Sequence, residues 1–322
     1  MRTPLKLGLF ALGLVALFAA SFGAGQLAGP TTTAEEGRDM TTDHGDPTPG
    51  EPAPVAVPGG LQVAQDGYRL ELLTPSLSTA AASPLRLRVL GPDGAPVTAY
   101  TPTHDKDLHL ILVRRDLDGY QHVHPELGSD GVWEIPVRTP GAGQYRVFAD
   151  FQPAGLDRSL TLGADLPAPG LYEPAPLPTP SRTATVDDYV VTLDGDLVPG
   201  TSSMLTLTVA KDGEPVTDLQ PYLAAYGHLV ALRDGDLAYL HVHPDGHPGD
   251  GRTTPGPQIV FHIEVPSTGT YRLFLDFRHQ DVVRTAAFTA VAGNAGAPSS
   301  PTATVGPTAT VGPTPTEHGG HG

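Results

Sequence analysis

An all-β chain of two tandem antiparallel β-sandwich domains is predicted by three features: an internal duplication, a side-chain period of two, and turn signals at short intervals. The duplication is explicit. GAPVTAY (Gly94 to Tyr100) answers GEPVTDL (Gly213 to Leu219), His109-Leu-Ile-Leu-Val-Arg answers His228-Leu-Val-Ala-Leu-Arg, and HVHP at 122–125 answers HVHP at 241–244, all at an offset of 119. QYRVFADF (Gln144 to Phe151) matches TYRLFLDF (Thr270 to Phe277) after a seven-residue insertion that follows the second HVHP.

The period of two is read from Leu85, Leu87 and Val89 alternating with Arg86 and Arg88, and from Leu205, Leu207 and Val209 alternating with Thr206 and Thr208. Successive side chains of a strand face opposite sides, so such runs are half-buried strands. Pro92-Asp93-Gly94, Asp118-Gly119, Asp212-Gly213 and Asp234-Gly235 are turn signals that divide them. Units of about 110 residues built this way have the size of an immunoglobulin-like sandwich.

The segments follow. Residues 1–28 carry Arg2 and Lys6 ahead of an uncharged apolar run, Leu7 to Gly25, and read as a signal peptide or a helical membrane anchor. Residues 29–58 are a disordered spacer, 59–167 the first sandwich, 168–182 a Pro-rich linker, 183–292 the second sandwich, and 293–322 a disordered low-complexity tail with TATVGP repeated. An exported location is expected, secreted or held at the cell membrane by the N-terminal segment alone.

Composition narrows the chemistry. Of 19 basic side chains two, Arg2 and Lys6, lie in the leader, leaving 17 against 35 acidic ones and a formal charge of −18. Such a surface repels nucleic acid and attracts cations. With no cysteine there can be no disulfide, thiolate zinc site or blue-copper centre. Imidazole and carboxylate remain as ligands.

The imidazoles fall in a pattern. His109, His122 and His124 recur as His228, His241 and His243, with spacings of 13 and 2 in both copies. His122 and His124 share a strand face, as do His241 and His243. A two-residue Asp234-Gly235 turn would pair Arg233 with Asp236 and set His228 opposite His241; Asp118-Gly119 would give the first copy another register of the same parity. Cross-strand Cβ atoms stand roughly 5 Å apart, close enough for imidazoles to share one ion. The spacing therefore predicts a three-histidine metal patch in each repeat, with copper as Cu(II) first and zinc second. The competing reading makes the same rings internal hydrogen-bond partners.

Other candidates have weaker claims. His104 and Asp105 align with Leu223 and Ala224 and so are excluded from a site common to both repeats. Glu126 and Asp245 read as turn residues, His262 as structural, and His247 in the inserted loop as a group able to reach the second patch. Asp150 and Asp276 recur in YRxFxDF, where a carboxylate could orient a histidine. Asp43, His44, His318 and His321 could take up metal loosely.

The pairing of H-L-x-x-x-R…H-V-H-P with G-x-Y-R-x-F-x-D-F over residues 59–292 resembles a family of exported bacterial proteins sometimes labelled heavy-metal-associated. In architecture the chain is similar to CopC-like and YtkA-like sandwiches, some of which carry copper. The three-histidine patches are read as serving a metal buffering or delivery role, with the ion and an extracytoplasmic metal-transport or resistance protein as the expected partners. Catalysis is not expected. A copper-zinc dismutase needs a zinc loop and a cysteine pair, and a cupin needs a Glu after HxH and a later His motif, none of which is here. The alternative is a structural or adhesive sandwich pair.

Overall fold

The structure, a computed structural model, describes residues 57–293, excepting the side chains of His241 and His243. The expected leader, nearly all of the spacer and the tail beyond Gly293 lie outside the described residues, and with them Asp43, His44, His318 and His321. Among the described residues there is no helix, and so none long and apolar enough to cross a membrane.

The first repeat contains β1 (Ala64–Gln65), β2 (Tyr68–Leu72), β3 (Ser83–Leu90), β4 (Leu108–Arg114), β5 (Gln121–Val123), β6 (Glu126–Leu127), β7 (Trp133–Val137), β8 (Gly143–Phe151) and β9 (Leu160–Ala168). The second contains β10 (Thr183–Val186), β11 (Tyr189–Asp194), β12 (Ser202–Lys211), β13 (Glu214–Pro215), β14 (Gly227–Arg233), β15 (Tyr239–Pro244), β16 (Gln258–Glu264), β17 (Gly269–His279) and β18 (Val282–Ala292). Antiparallel sheets β1-β2-β3-β7-β6 and β5-β4-β8-β9 form the first sandwich. In the second, β10-β11-β12-β16 and β14-β17-β18 are joined by β15, which pairs with both β14 and β16. The HVHP strand is thus where the chain changes sheets in each repeat, as β5 then β6 or as the continuous β15.

Each sandwich closes on its own core. Leu85, Leu87 and Val89 pack with Leu110, Leu112, Val147 and Phe151 in the first, and Leu205, Leu207 and Val209 with Leu229, Leu273 and Phe277 in the second. The other face of β4 is buried too. Ile111, Val113, Leu117 and Phe148 join Val230, Leu232, Leu237, Tyr239 and Phe274 in a third core between the repeats. Every residue of β4 is consequently buried, which explains why Leu110 to Val113 is a continuous apolar run and not an alternation. The linker contributes: Ala175 N–H donates to Asp116 Oδ2 (2.8 Å), and Leu177 packs on the shared core.

The hairpin register differs from the one expected. Val230, not His228, stands opposite His241, and Arg233 N–H donates to Ala238 C=O across a loop that spans Asp234 to Leu237. The loop is longer because Leu237, at φ 62°, turns into the shared core while Asp236 Oδ1 accepts from Arg233 Nε (2.9 Å) and Ala238 N–H (3.1 Å). The shift is by two residues, so parity holds. The first repeat has the corresponding register, with Ile111 opposite His122, rather than a different one.

A strap at the start of the first repeat crosses to the second. Tyr239 N–H donates to Gly59 C=O (3.0 Å), Gly60 N–H to Thr161 C=O (2.8 Å), and Arg146 holds Gly60 C=O from its buried guanidinium. Gly60 has φ +73°, and a Cβ there would lie 2.3 Å from Phe148 Cδ1. Left-handed strain and overpacking each cost about 1–3 kcal/mol, so Gly60→Ala should lower stability by roughly 2–5 kcal/mol in urea unfolding. A loss under about 0.5 kcal/mol would show that the strap does not constrain the interface.

Candidate metal centre

The shared face of β4, β5 and β8 carries His109, His122 and His124. His109 is the second residue of a strand buried on both sides, His122 comes from β5, and His124 from the point where the chain leaves that sheet for β6. His109 Nδ1 lies 3.1 Å from His122 Nε2 and 3.1 Å from His124 Nε2, and a set of ring nitrogens from all three lies within 4.8 Å. Nitrogens bound at about 2.0–2.1 Å to one tetrahedral ion stand roughly 3 Å apart, so the spacing fits a common cation.

The outer partners set the tautomers. His109 Nε2–H donates to Thr103 C=O (2.8 Å), because a carbonyl only accepts; in the neutral ring Nδ1 then keeps its lone pair. His122 Nδ1–H donates to the Asp276 carboxylate (2.8 Å), so Nε2 keeps its lone pair. These two nitrogens face each other at 3.1 Å, and His124 Nε2 lies 3.1 Å from the same His109 nitrogen. Two lone pairs repel at that distance unless a cation, metal or proton, lies between them. Burial and then the neighbouring His122 and His109 push the His124 pKa down to about 2, which keeps its ring neutral and competent as a ligand.

In the second repeat His228 repeats the arrangement. Its Nε2–H is held by Tyr222 C=O (2.9 Å) and Leu223 C=O (3.1 Å), and burial lowers its pKa to about 3. Thr103–Lys106 and Tyr222–Ala225 form equivalent turns, with His104, Asp105, Leu223 and Ala224 all at positive φ. His241 and His243 lie on β15, with His243 in register with His262 of β16, but their side chains lie outside the described residues, so the second triplet's ring geometry is not defined.

His228 of the second repeat adjoins the first patch. His122 and His228 ring centroids are 6.3 Å apart, and His104 lies 5.3 Å from His228 and 6.0 Å from His109. His104, which has no counterpart at Leu223 in the second repeat, thus lies beside a histidine of each repeat. Asp276 reaches His122 of the other repeat, while Tyr239 OH donates to Asp150 Oδ2 (3.3 Å) in the reciprocal direction. Tyr120, Tyr222 and Tyr239 line the same region, and burial raises the phenol pKa of each, that of Tyr222 to about 12. No sequence signal marked these tyrosines.

The remaining candidates stand apart. His247 is exposed in the inserted loop, its backbone N–H held by Asp250 Oδ2 (3.1 Å), and His262 is exposed on β16. Asp245 and Glu126 are exposed, and Glu126 pairs in register with Glu134. His279, unremarked in the sequence, is buried between Tyr189 OH (2.8 Å) and Asp218 Oδ1 (3.0 Å), away from the shared face, and reads as a core histidine.

Fold and site together define a tandem immunoglobulin-like β-sandwich protein with a histidine-rich interface between its repeats. Residues 62–166 and 184–294 each match the family described as "Domain of unknown function (DUF8832)", and the chain belongs to that family. No curated protein matches the sequence. Among solved structures it is similar to the Escherichia coli adhesin FdeC (15% identity, 70% of this chain and 65% of that one, TM-score 0.23). It is also similar to the bacterial integrin-binding protein invasin (11%, 69% and 39%, 0.20) and to a Salmonella alpha-2-macroglobulin mutant (13%, 72% and 15%, 0.25). The chain spans less than two thirds of each, and none of these likenesses bears on its function.

Proposed function

We propose that this exported protein binds a divalent cation, Cu(II) ahead of Zn(II), on His109, His122 and His124, and buffers it or passes it to an extracytoplasmic metal-transport or resistance protein. The observation that carries this reading is the convergence of ring nitrogens from His109, His122 and His124 within 4.8 Å of one another, with outer partners on the opposite ring nitrogens of His109 and His122. Orientation of ligating histidines by carboxylate and carbonyl acceptors is a general property of metal sites. Three imidazoles without thiolate or thioether suit Cu(II) or Zn(II), and intrinsic affinity favours copper. The second triplet is proposed to act in the same way, with His228, His241 and His243 as ligands. The role is binding, not catalysis.

A second reading has an observation of its own. His109 and His228 each donate to turn carbonyls and so brace the fold without any ion, and a proton on His122 could bridge to His109. The chain would then be a structural or adhesive sandwich pair.

Calorimetric titration with Cu(II) and Zn(II), with electron paramagnetic resonance for copper, separates the two. The chain should take up about one ion per intact triplet, and His122→Ala/His124→Ala should abolish the first-repeat site while His241→Ala/His243→Ala spares it. Uptake no greater than that of the variant lacking all four histidines would sink the metal reading and leave the structural one.

A further inference from the structure

We propose that the first-repeat metal site is completed by the second repeat, with Asp276 as the positioning carboxylate for His122, so that ion binding and docking of the repeats are thermodynamically linked. The inference rests on the metal reading above and adds what controls that site.

The carboxylate is placed by its own repeat and used by the other. Asp276 is 3% exposed on β17, in register with His228 of β14, and Thr285 Oγ1–H donates to its Oδ1 (2.5 Å). That leaves Oδ2 directed at His122 Nδ1, 2.8 Å away on the first repeat. Asp150 has the corresponding place, in register with His109, with Thr161 Oγ1 on Oδ1 (3.3 Å) and Tyr239 OH of the second repeat on Oδ2 (3.3 Å). Both carboxylates therefore receive a donor across the interface. Local pairing could not produce this, since in each repeat the aspartate lies beside its own first histidine. Further cross-repeat neighbours of the cluster are Tyr222, 6.3 Å from His124 between ring centroids, and His228, 6.3 Å from His122.

The physical consequence is specific. An acceptor on Nδ1 fixes the His122 tautomer with Nε2 bare and raises that nitrogen's basicity; a neutral acceptor does so less. If the repeats separate, Asp276 leaves with the second repeat and His122 is free to adopt the other tautomer. A ligand that binds better to the docked state must stabilise that state by the same factor.

The test uses the full chain with Cu(II) alone as probe, its affinity read by chelator competition in a His241→Ala/His243→Ala background that leaves the first-repeat site, together with ¹⁵N NMR of the His122 ring in the metal-free protein. Asp276→Asn should weaken first-repeat binding by about 10- to 100-fold, the usual effect of losing an outer carboxylate, and mix the His122 tautomers. Asp276→Glu should recover part of the affinity. A purely structural Asp276 would lower the melting temperature of the variant without moving the ¹⁵N pattern or the affinity of the folded fraction. Binding within about threefold of the wild type would overturn the linkage and leave the metal reading intact; no uptake by the wild type would overturn the metal reading itself. Should Asp276→Asn fail to fold, Thr285→Val, which removes only the hydroxyl on Oδ1, is held to the same two readouts.

Discussion

Phe274→Ala is expected to lower stability by about 3–5 kcal/mol and to convert a single unfolding transition into two. Phe274 is 3% exposed, and its ring stacks on Tyr120 of the first repeat at 3.9 Å and 3°. Removing it leaves a cavity in the core that the repeats share, whereas each sandwich keeps its own separate core. The cost should therefore appear as decoupling. Phe148→Ala, which loses the equivalent contact to Tyr239 (5.4 Å), should behave alike. Denaturant unfolding followed by Trp133 fluorescence, which reports on the first repeat, and by far-ultraviolet circular dichroism, which reports on both, checks this. Coincident curves with a loss under about 1 kcal/mol would show that the shared core is not what joins the repeats.

Acid should destabilise the metal-free chain steeply. Burial holds His228 at about 3 and His124 at about 2, both far below the ordinary histidine value. Between those values and pH 6.5 the unfolded chain binds two protons that the folded chain refuses, so stability rises with pH across that window and is flat, for these groups, above it. One proton is worth about 1.4 kcal/mol per pH unit, so the two groups together contribute a slope approaching 2.7 kcal/mol per unit. Urea midpoints in the presence of chelator at pH 7.5, 6.5, 5.5 and 4.5 read the slope. Carboxylates titrate in the lower half of this range, so the informative quantity is the difference from His228→Gln, which should remove about half of the histidine slope. Parallel curves for wild type and variant would mean that His228 is not buried neutral.

Much of the architecture was legible in the chain because its signals are local or repeated. Alternation along Leu85 to Val89 and Leu205 to Val209 marks one buried face, and turn residues mark the ends. Parity alone put His109, His122 and His124 on one face, and it survived a two-residue error in register since the side-chain period is two. That error came from Leu237, whose φ of 62° no short turn signal announces and whose burial depends on the other repeat. The sequence also carries a signal for the shared core. LHLILVR and GHLVALR lack the alternation seen in β3 and β12, as strands covered on both faces do.

The composition, duplication and period of two thus determined, from sequence alone, two antiparallel sandwiches each carrying three histidines at one spacing, and the missing cysteine confined the ligand chemistry to imidazole and carboxylate. Tertiary structure decided that His228 adjoins the first patch, that Asp276 serves His122 across the interface, and that His104 lies beside His228. Strand pattern specifies which side a residue faces, because alternation is a property of the backbone. What lies opposite that side is set by the packing of two apolar faces against each other, a contact between residues more than a hundred positions apart that no local period encodes.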